Sequence, residues 1–178
     1  DASHAVGAEY NGRPVGCCEY SDITIFSFHP VKIITSGEGG AALTNCSVMD
    51  RKLKLLRSHG ITRDKSLMHN PCDYGWYYEQ IDLGLNYRMT ELQAALGTSQ
   101  MSRLDKFVSK RHELQQRYDI LLKELPVITP FQDKDSYSAL HLYPIQLKLD
   151  ELTQSRLQIF DKLRENNIGV NVHYIPVH

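Results

Sequence analysis

A single lysine, Lys32, lies among apolar and small residues in the segment SFHPVKIITSGEGG, residues 27–40. Val31, Ile33 and Ile34 flank it, whereas an ordinary surface lysine lies in a polar run where its stem reaches water. Lysine changes its pKa readily on burial and can attack a carbonyl carbon to form an imine. The segment leaves two interpretations open, an edge lysine that extends to solvent or a reactive amine.

Two further polar residues favour the reactive amine. Asp1 and Ser27, like Lys32, each lie at the end or edge of a strand-like segment. An amine that forms an imine, a hydroxyl that binds phosphate and a carboxylate that keeps a pyridine nitrogen protonated are the groups that a pyridoxal phosphate site requires. The three residue types together indicate such a site, although a structural lysine is the simpler interpretation of Lys32 taken alone.

The glycines that follow this lysine do not form a nucleotide-binding motif. Residues 37–40 (GEGG) have neither the G-x-x-x-x-G-K-[ST] spacing of a P-loop nor the G-x-G-x-x-G of a dinucleotide fold. They predict a tight turn that leads into a strand. No metal site is expected either, because the histidines and cysteines of residues 4–29 lack the paired spacings of zinc ligands.

The composition is that of a globular protein. Of the 178 residues, 42% are hydrophobic and 23% are charged, and the formal net charge of −1 lacks the basic excess of nucleic-acid or anionic-membrane binders. No apolar run reaches the roughly 18 residues of a membrane span, and no signal-peptide pattern is present. The four cysteines form no disulfide framework. We therefore predict a cytoplasmic protein without nucleic-acid or membrane partners.

Two short strands are predicted on either side of the lysine. Residues 22–28 alternate and are rich in β-branched and aromatic side chains, which predicts a strand that delivers Ser27 at its end. The small residues of 39–45 predict a second strand, so the lysine lies on the connection between the two. A helix is predicted from Ser47 to about Arg57, with Ser47 as its N-cap.

A long loop and a long helical segment follow. Residues 58–86 combine turn signals with an aromatic cluster, which is typical of functional loops. Residues 90–93 (TELQ) form a capping box, and apolar residues then recur at helical spacing as far as Leu125. This pattern predicts one long helix or two, with a bend near Gly97, Ser99 and Ser102. We place a domain boundary inside it, near residues 100–104.

The predicted second domain is a small α+β unit that follows a first domain of residues 1–100. Helix and strand patterns alternate there, as they do in compact α+β units. The predicted elements of residues 101–178 are an extended stretch at 140–147, a helix from about Leu152 to Asn167 that is stopped by Gly169, and a last strand at 170–174.

Five ordered motifs that together span the chain resemble the nucleotide-sugar aminotransferases of the DegT/DnrJ/EryC1/StrS family. The resemblance implies a fold-type I pyridoxal-phosphate-dependent transferase of the α/β class. This chain would hold the later part of the large-domain sheet and the small α+β C-terminal domain. The motifs are residues 1–7 (DASHAVG), residues 27–29 with Lys32 and 37–40, residues 58–60 (SHG), residues 85–97 (LNYRMTELQAALG) and residues 172–176 (VHYIP).

The resemblance also implies roles around pyridoxal 5′-phosphate. Lys32 matches the catalytic lysine that binds the cofactor as an imine, and Asp1 matches the aspartate that pairs with the pyridinium nitrogen. His4 matches a position beside the cofactor, and Ser27 matches the hydroxyl that binds the cofactor phosphate. Asn86 matches an asparagine that reaches the cofactor phosphate of the neighbouring subunit, which implies a homodimer with shared active sites.

Three residues match substrate-binding positions of the family. Arg88 matches an arginine near the anionic groups of the substrate, and His173 and Tyr174 match a pair that lines the sugar pocket. Simpler interpretations stay open. Asn86 can be a turn residue, and His173 can lie on the outer face of a strand whose residues Val170, Val172 and Tyr174 face inward.

The activity implied is the transfer of an amino group from glutamate to the C4 keto group of a UDP-4-keto-6-deoxy-N-acetylhexosamine. Residues 139–144 (ALHLYP) and the DASH opening look most like the branch that serves pseudaminic acid biosynthesis, and another nucleotide keto-sugar is the alternative substrate. Sugar dehydratases of the family carry histidine in place of the lysine, so Lys32 argues against that reaction.

The opening of the chain leads to a second functional alternative. The sequence begins at Asp1 without a methionine or a lead-in element, and family proteins are much longer, so we expect a fragment. Such a fragment could be a non-catalytic assembly or binding module instead of a complete enzyme.

Overall fold

The computed structural model describes residues 1–176, which form short antiparallel strands and four α-helices around a small core. The elements are β1 (Glu9–Tyr10), β2 (Arg13–Pro14), β3 (Thr24–Ser27), β4 (Gly40–Leu43), α1 (Ser47–Leu56), β5 (Ile61–Thr62), β6 (Glu79–Gln80), α2 (Glu91–Met101), α3 (Leu104–Leu122), β7 (Val127–Ile128), β8 (Ser136–Tyr137), β9 (Gln146–Leu147) and α4 (Arg156–Glu165). The strand ladders are β2–β1–β8, β3–β4, β5–β6 and β7–β9.

The predicted strands on either side of Lys32 are confirmed as β3 and β4. They pair antiparallel, with Ser27 opposite Gly40 at the end that leads into the loop. Along β3, Phe26 is buried and Ile25 is exposed, which is the alternation of a strand with one covered face. A Cβ on Gly40 would lie 2.6 Å from the Phe26 carbonyl oxygen, so only glycine allows this close pairing.

Two small clusters of buried residues connect the start of the chain, the loop after β3 and α3. The first contains Ala2, Val6, Phe26 and Ile34, and the second contains Ala8, Ile33, Val108 and Ala139. Leu104 of α3 packs against both clusters. Because these residues come from both sides of the predicted domain boundary, α3 belongs to the packing that supports Lys32. The division into two domains near residue 100 stays a prediction.

The predicted first helix is confirmed as α1, but the prediction of its N-cap is wrong. Cys46 occupies the N-cap position and no side chain caps the helix, whereas Ser47 is already helical. The hydroxyl of Thr44 accepts the backbone N–H of Cys46 at 3.1 Å. This local turn lets the chain enter the helix one residue earlier than the Ser47 pattern predicts.

The predicted long helical segment consists of two helices. Thr90 and Gln93 form the predicted capping box, with each side chain bonded to the other residue's backbone N–H. α2 ends at Met101 and α3 begins at Leu104. Of the residues predicted for the bend, Ser102 lies at this break, whereas Gly97 lies inside α2. The Ser102 hydroxyl donates to the Ser99 carbonyl at 2.9 Å, which satisfies an acceptor at the end of α2.

The last elements differ from the prediction. α4 is shorter than the predicted helix because a Ser155–Gln158 capping box starts it later. It ends before Asn167, whose φ of 59° is left-handed, and not at Gly169. The predicted extended stretch at 140–147 is reduced to β9.

The predicted strand at 170–174 is wrong. Those residues have no strand partner within residues 1–176, and the backbone carbonyl of Val170 instead accepts from Arg164 at 3.4 Å. Val172 and Tyr174 are exposed, so they do not face inward as the predicted strand required. The interpretation of His173 as the outer residue of that strand is therefore wrong as well.

We expect Ile34→Ala to destabilise the protein by about 2–5 kcal/mol, because it removes buried methyl groups and leaves a cavity under Lys32. Ile34 is 1% exposed, whereas Val31 on the same loop is 64% exposed. Val31→Ala is therefore the matched control, with an expected change within about 0.5 kcal/mol. Denaturant unfolding of the wild type and of both variants measures the change in the free energy of unfolding. Equal losses would show that the core does not hold this loop.

Candidate active site

The loop of residues 28–39, which follows β3, is closed by hydrogen bonds at its two ends. The Phe28 N–H donates to the Gly39 carbonyl at 2.8 Å. The Phe28 carbonyl accepts the Ser36 N–H at 3.1 Å and the Thr35 hydroxyl at 3.0 Å. Lys32 lies in the middle of this closed loop, so its position relative to β3 is determined by backbone contacts.

A close contact ties the loop to the start of α2. Ser36 is 1% exposed and donates to the Glu38 carbonyl at 2.8 Å. Gly39 has a φ of 154°, and a Cβ there would lie 2.5 Å from the Ser36 hydroxyl and 2.6 Å from the Met89 methyl group. Glycine is favoured at this position, because its φ is strained for other residues and a Cβ would have to displace the Met89 methyl group or the buried Ser36 hydroxyl.

The Lys32 side chain is half-buried and makes no ion pair with a carboxylate of residues 1–176. Its charge acts instead on two imidazoles, since it lowers the pKa of His4 and of His141. A lysine that stabilises a surface usually pairs with a carboxylate or extends fully into water. Lys32 does neither, which favours the reactive amine over the structural lysine.

Three histidines and Lys32 form what we call the Lys32 cluster: Lys32, His4, His141 and His173. The pKa of His4 is lowered by burial and by the charges of Lys32 and His173. The pKa of His141 is lowered to about 4 by burial, followed by the charges of His4, Lys32, Arg111 and His173. The rings of His4 and His141 lie 4.3 Å apart at an angle of 57°. At neutral pH these two imidazoles are therefore uncharged beside the amine.

Sequence reasoning placed His4 and His173 in the site but missed His141. His141 lies in the ALHLYP motif, which served only to recognise the family branch. Its position beside His4 depends on a tertiary contact between residues that are far apart in the chain. The exposed ring of Tyr174 lies beside His173, with ring centroids 3.7 Å apart and an angle of 36° between the rings.

Asp1 and Ser27 are placed by the same strand, β3. The N–H of Ala2 donates to the Ile25 carbonyl at 2.8 Å, which sets Asp1 beside the strand. The Asp1 carboxylate accepts the Ser3 N–H at 2.8 Å. Ser27 ends the strand, and its hydroxyl oxygen accepts only a long bond of 3.4 Å from the His29 N–H, so its own hydrogen remains available to a ligand.

These residues fit pyridoxal phosphate. The cofactor requires an amine without a competing ion pair, a hydroxyl that can donate to phosphate and a carboxylate for the ring nitrogen. Lys32, Ser27 and Asp1 supply these groups from β3 and the structure around it. Uncharged imidazoles beside Lys32 add no further positive charge there.

The other predicted site residues lie on the segment of residues 85–88. Two backbone hydrogen bonds hold this segment against the end of α1. The Leu85 N–H donates to the Leu56 carbonyl at 2.7 Å, and the Tyr87 N–H donates to the Arg57 carbonyl at 2.9 Å. Asn86 pairs with Ser58 in an isolated β-bridge, and its side chain is exposed. The backbone of Asn86 is therefore structural, and its side chain is free to reach a ligand or a second chain.

Arg88 lines a cleft of about 400 Å³. Its guanidinium lies 3.5 Å from the Nε2 atom of His59, and the guanidinium of Arg63 lies 5.9 Å from the centre of the Tyr78 ring. The lining residues are Ser58, His59, Ile61, Arg63, Tyr78 and Arg88, which include no carboxylate. Two guanidinium groups beside an aromatic ring are suited to an anion that carries a planar group. Arg63 and Tyr78 were not identified from sequence.

Among residues 1–176, no hydrogen bond, ion pair or ring contact joins a residue of the cleft to a residue of the Lys32 cluster. The two are neighbours along the fold, however, because Met89, which follows Arg88, packs against Gly39 of the Lys32 loop.

The fold is that of pyridoxal-phosphate-dependent sugar aminotransferases. Helicobacter pylori PseC, an aminotransferase involved in pseudaminic acid biosynthesis, matches with a TM-score of 0.85 and 36% identity over 99% of this chain and 45% of its own. Spr1654 of Streptococcus pneumoniae, assigned as a sugar aminotransferase and solved in its PLP form, matches with a TM-score of 0.83 and 29% identity over 99% of this chain and 43% of its own. The predicted α/β transferase fold is confirmed.

The chain belongs to the DegT/DnrJ/EryC1/StrS aminotransferase family, whose sequence profile matches residues 1–178. A Campylobacter jejuni relative named UDP-4-amino-4,6-dideoxy-N-acetyl-beta-L-altrosamine transaminase is 41% identical over all of this chain and 44% of its own. The spore coat polysaccharide biosynthesis protein SpsC of Bacillus subtilis is 38% identical over all of this chain and 46% of its own. The chain therefore spans about half the length of these relatives, and the predicted family is confirmed.

None of the helices in the described part of the chain has the length and apolar character needed to cross a bilayer. The cytoplasmic location stays a prediction.

We expect the cleft to bind nucleoside diphosphates through Arg63 and Arg88. Loss of a hydrogen bond to a charged group costs about 1.5–3 kcal/mol, so Arg63→Gln and Arg88→Gln should each weaken UDP binding by about tenfold or more. Arg117→Gln, on an exposed position of α3, is the matched control. Calorimetric titration with UDP measures the affinities. Unchanged affinity in both cleft variants would show that the anion binds elsewhere.

Proposed function

We propose that the protein is a pyridoxal-phosphate-dependent aminotransferase that moves an amino group from glutamate to the C4 keto group of a UDP-4-keto-6-deoxy-N-acetylhexosamine, for pseudaminic acid or a related surface sugar. The observation that carries the reaction type is Lys32, a half-buried amine without a carboxylate partner among uncharged imidazoles. The printed name of the Campylobacter jejuni relative supports the substrate class.

Lys32 performs two tasks in this proposal. Bound pyridoxal phosphate supplies an aldehyde that accepts amino groups and a ring that withdraws electrons from the adjacent C–H bond. The Nζ atom of Lys32 would hold the cofactor and, once released by the amino donor, would move a proton from the donor's Cα to the cofactor. In the second half of the reaction the same atom would move a proton in the opposite sense, from the cofactor to C4 of the sugar.

The other residues of the site bind and orient. Asp1 keeps the ring nitrogen of the cofactor protonated, and Ser27 donates its hydroxyl hydrogen to the cofactor phosphate. His4, whose pKa is lowered by burial and by the charge of Lys32, would not compete with the amine for a proton. His173 and Tyr174 line the sugar pocket, where the exposed ring of Tyr174 is available for contact.

The substrate's nucleotide lies in the cleft of Arg63 and Arg88, with Tyr78 beside its planar base. We infer that the functional unit is a homodimer, because Asn86 matches an asparagine of the family that reaches the cofactor of the neighbouring subunit. In it, Asn86 and Arg88 serve the site that is built around the neighbouring subunit's Lys32. The exposed side chain of Asn86 supports this arrangement.

The covalent attachment of the cofactor is the first test of this function. Incubation with pyridoxal phosphate, borohydride reduction and peptide mapping should place the pyridoxyl mass on Lys32, because its amine lacks a competing ion pair. Lys32→Ala should remove the label, and Lys54→Ala should keep it, since Lys54 pairs with Asp50 on the exposed face of α1. A label that persists in Lys32→Ala would contradict the assignment.

Mixed dimers test the shared site. Lys32→Ala and Asn86→Ala proteins should each be inactive, and their mixture should regain activity, because each mixed dimer contains one site with both residues intact. Native mass spectrometry verifies that subunits have exchanged. If the exchanged mixture stays as inactive as its parents, Asn86 and Lys32 act within one chain.

A further inference from the structure

We propose that His141 is a positioning residue, whose ring packs against the exposed His4 imidazole and holds it in place near Lys32. The ring packs 4.3 Å from His4, and a strained turn held by two side chains of α3 delivers it there. The effect on catalysis rests on the proposed function, whereas the effect on His4 does not.

The turn of residues 138–141 is built to place this ring. Leu140 has a φ of 50°, a left-handed conformation that is unfavourable for a branched residue and persists only where the surroundings enforce it. Arg111 donates to the carbonyls of Leu140 and His141 at 2.9 and 3.1 Å. A ring nitrogen of His112 lies 2.8 Å from the Ser138 carbonyl. Adjacent residues of α3 therefore hold both ends of the turn.

The charged groups around His141 all oppose its protonation. The charges of Lys32 on the loop after β3 and of Arg111 on α3 act against it, as do His4 and His173 in their protonated forms. The ring is also partly buried, which is the largest cause that disfavours its charged form.

The hydrogen bonding of the ring leads to the same conclusion. The Nδ1 atom is buried and has no hydrogen-bond partner. Protonation of the ring would make this atom an N–H, a buried donor without an acceptor. The geometry thus disfavours the charged ring.

A ring fixed in this way determines the surroundings of His4. His4 is exposed overall, and the partial burial that it does have is the largest cause of its lowered pKa. The His141 ring, 4.3 Å away and tilted by 57°, is the aromatic neighbour packed against it. Without that ring, His4 would be more open to water still and its imidazole could turn away from Lys32. His141 thus acts on the amine through His4.

Nuclear magnetic resonance titration of ring-labelled histidines tests the proposal without any activity measurement. In the cofactor-free protein of natural length, His141 should stay uncharged until about pH 4, and the pKa of His4 should lie below its ordinary value. His141→Ala should raise the pKa of His4 towards the ordinary value, because water reaches the uncovered face. His141→Phe should keep the pKa of His4 low, because a phenyl ring covers the same face without charge.

Two further variants make the titration decisive. His69→Phe is the matched control, since His69 lies on the exposed loop after α1, and it should leave His4 unchanged. If His141→Ala does not fold, His141→Gln, which is uncharged but has no ring, replaces it with the same expected result. A His141 ring that protonates near pH 6.5, or a His4 that titrates identically in the wild type and in the ringless variant, would overturn the proposal.

Kinetics separate this proposal from the proposed function. Misplacement of a group by about 1 Å can lower a rate about a hundredfold, so His141→Ala should lower kcat by about tenfold to a hundredfold with little change in KM. His141→Phe should retain most of the wild-type kcat. If His141→Phe were as slow as His141→Ala, a ring nitrogen would be needed and the positioning role would be wrong. If the wild type transferred no amino group, the proposed function would fail while the titration would still decide the role of His141.

Discussion

The burial of two adjacent isoleucines determines the position of everything around Lys32. Ile34 packs into the cluster under β3, and Ile33 packs into the cluster that α3 covers. The chain bends at Ile33 and Ile34, so these two neighbouring side chains reach two different clusters. Once both are buried, the preceding lysine has little freedom. The loop closure at Phe28 and the packing of Met89 on Gly39 complete the constraint from the other side.

The electrostatics of the site follow from this placement. Several basic side chains close together lower the stability of a protein, because each positive charge makes protonation of the next group less favourable. Here the arrangement persists because burial keeps the His4 and His141 imidazoles in their uncharged forms near neutral pH. The cluster therefore presents one amine beside two uncharged imidazoles, which would suit the covalent role proposed for Lys32. Stability alone would favour a carboxylate beside it.

Local signals in the sequence predict some elements well. Alternation predicts β3, small residues predict β4, and the Thr90–Gln93 capping box predicts the start of α2, because each depends on neighbours within a few residues. The strand predicted at 170–174 is wrong because a strand requires a hydrogen-bonded partner strand. The alternation of residues along the chain does not show whether such a partner exists. His141, Arg63 and Tyr78 escaped prediction for a related reason. Their chemistry arises from contacts with residues distant in sequence, whereas Lys32 is conspicuous because its own neighbours are apolar.

The register of α3 has a consequence for how the chain can vary. Val108 fills the core beneath the Lys32 loop, and Arg111, almost one turn later, holds the turn that carries His141. A helix advances about 100° per residue, so a single inserted or deleted residue between these two positions would rotate Arg111 away from the carbonyls it binds. Length changes at that point would leave a folded helix with a misplaced histidine. The exposed end of α3 near Leu121 carries no such constraint, so insertions in diverging homologues should accumulate there.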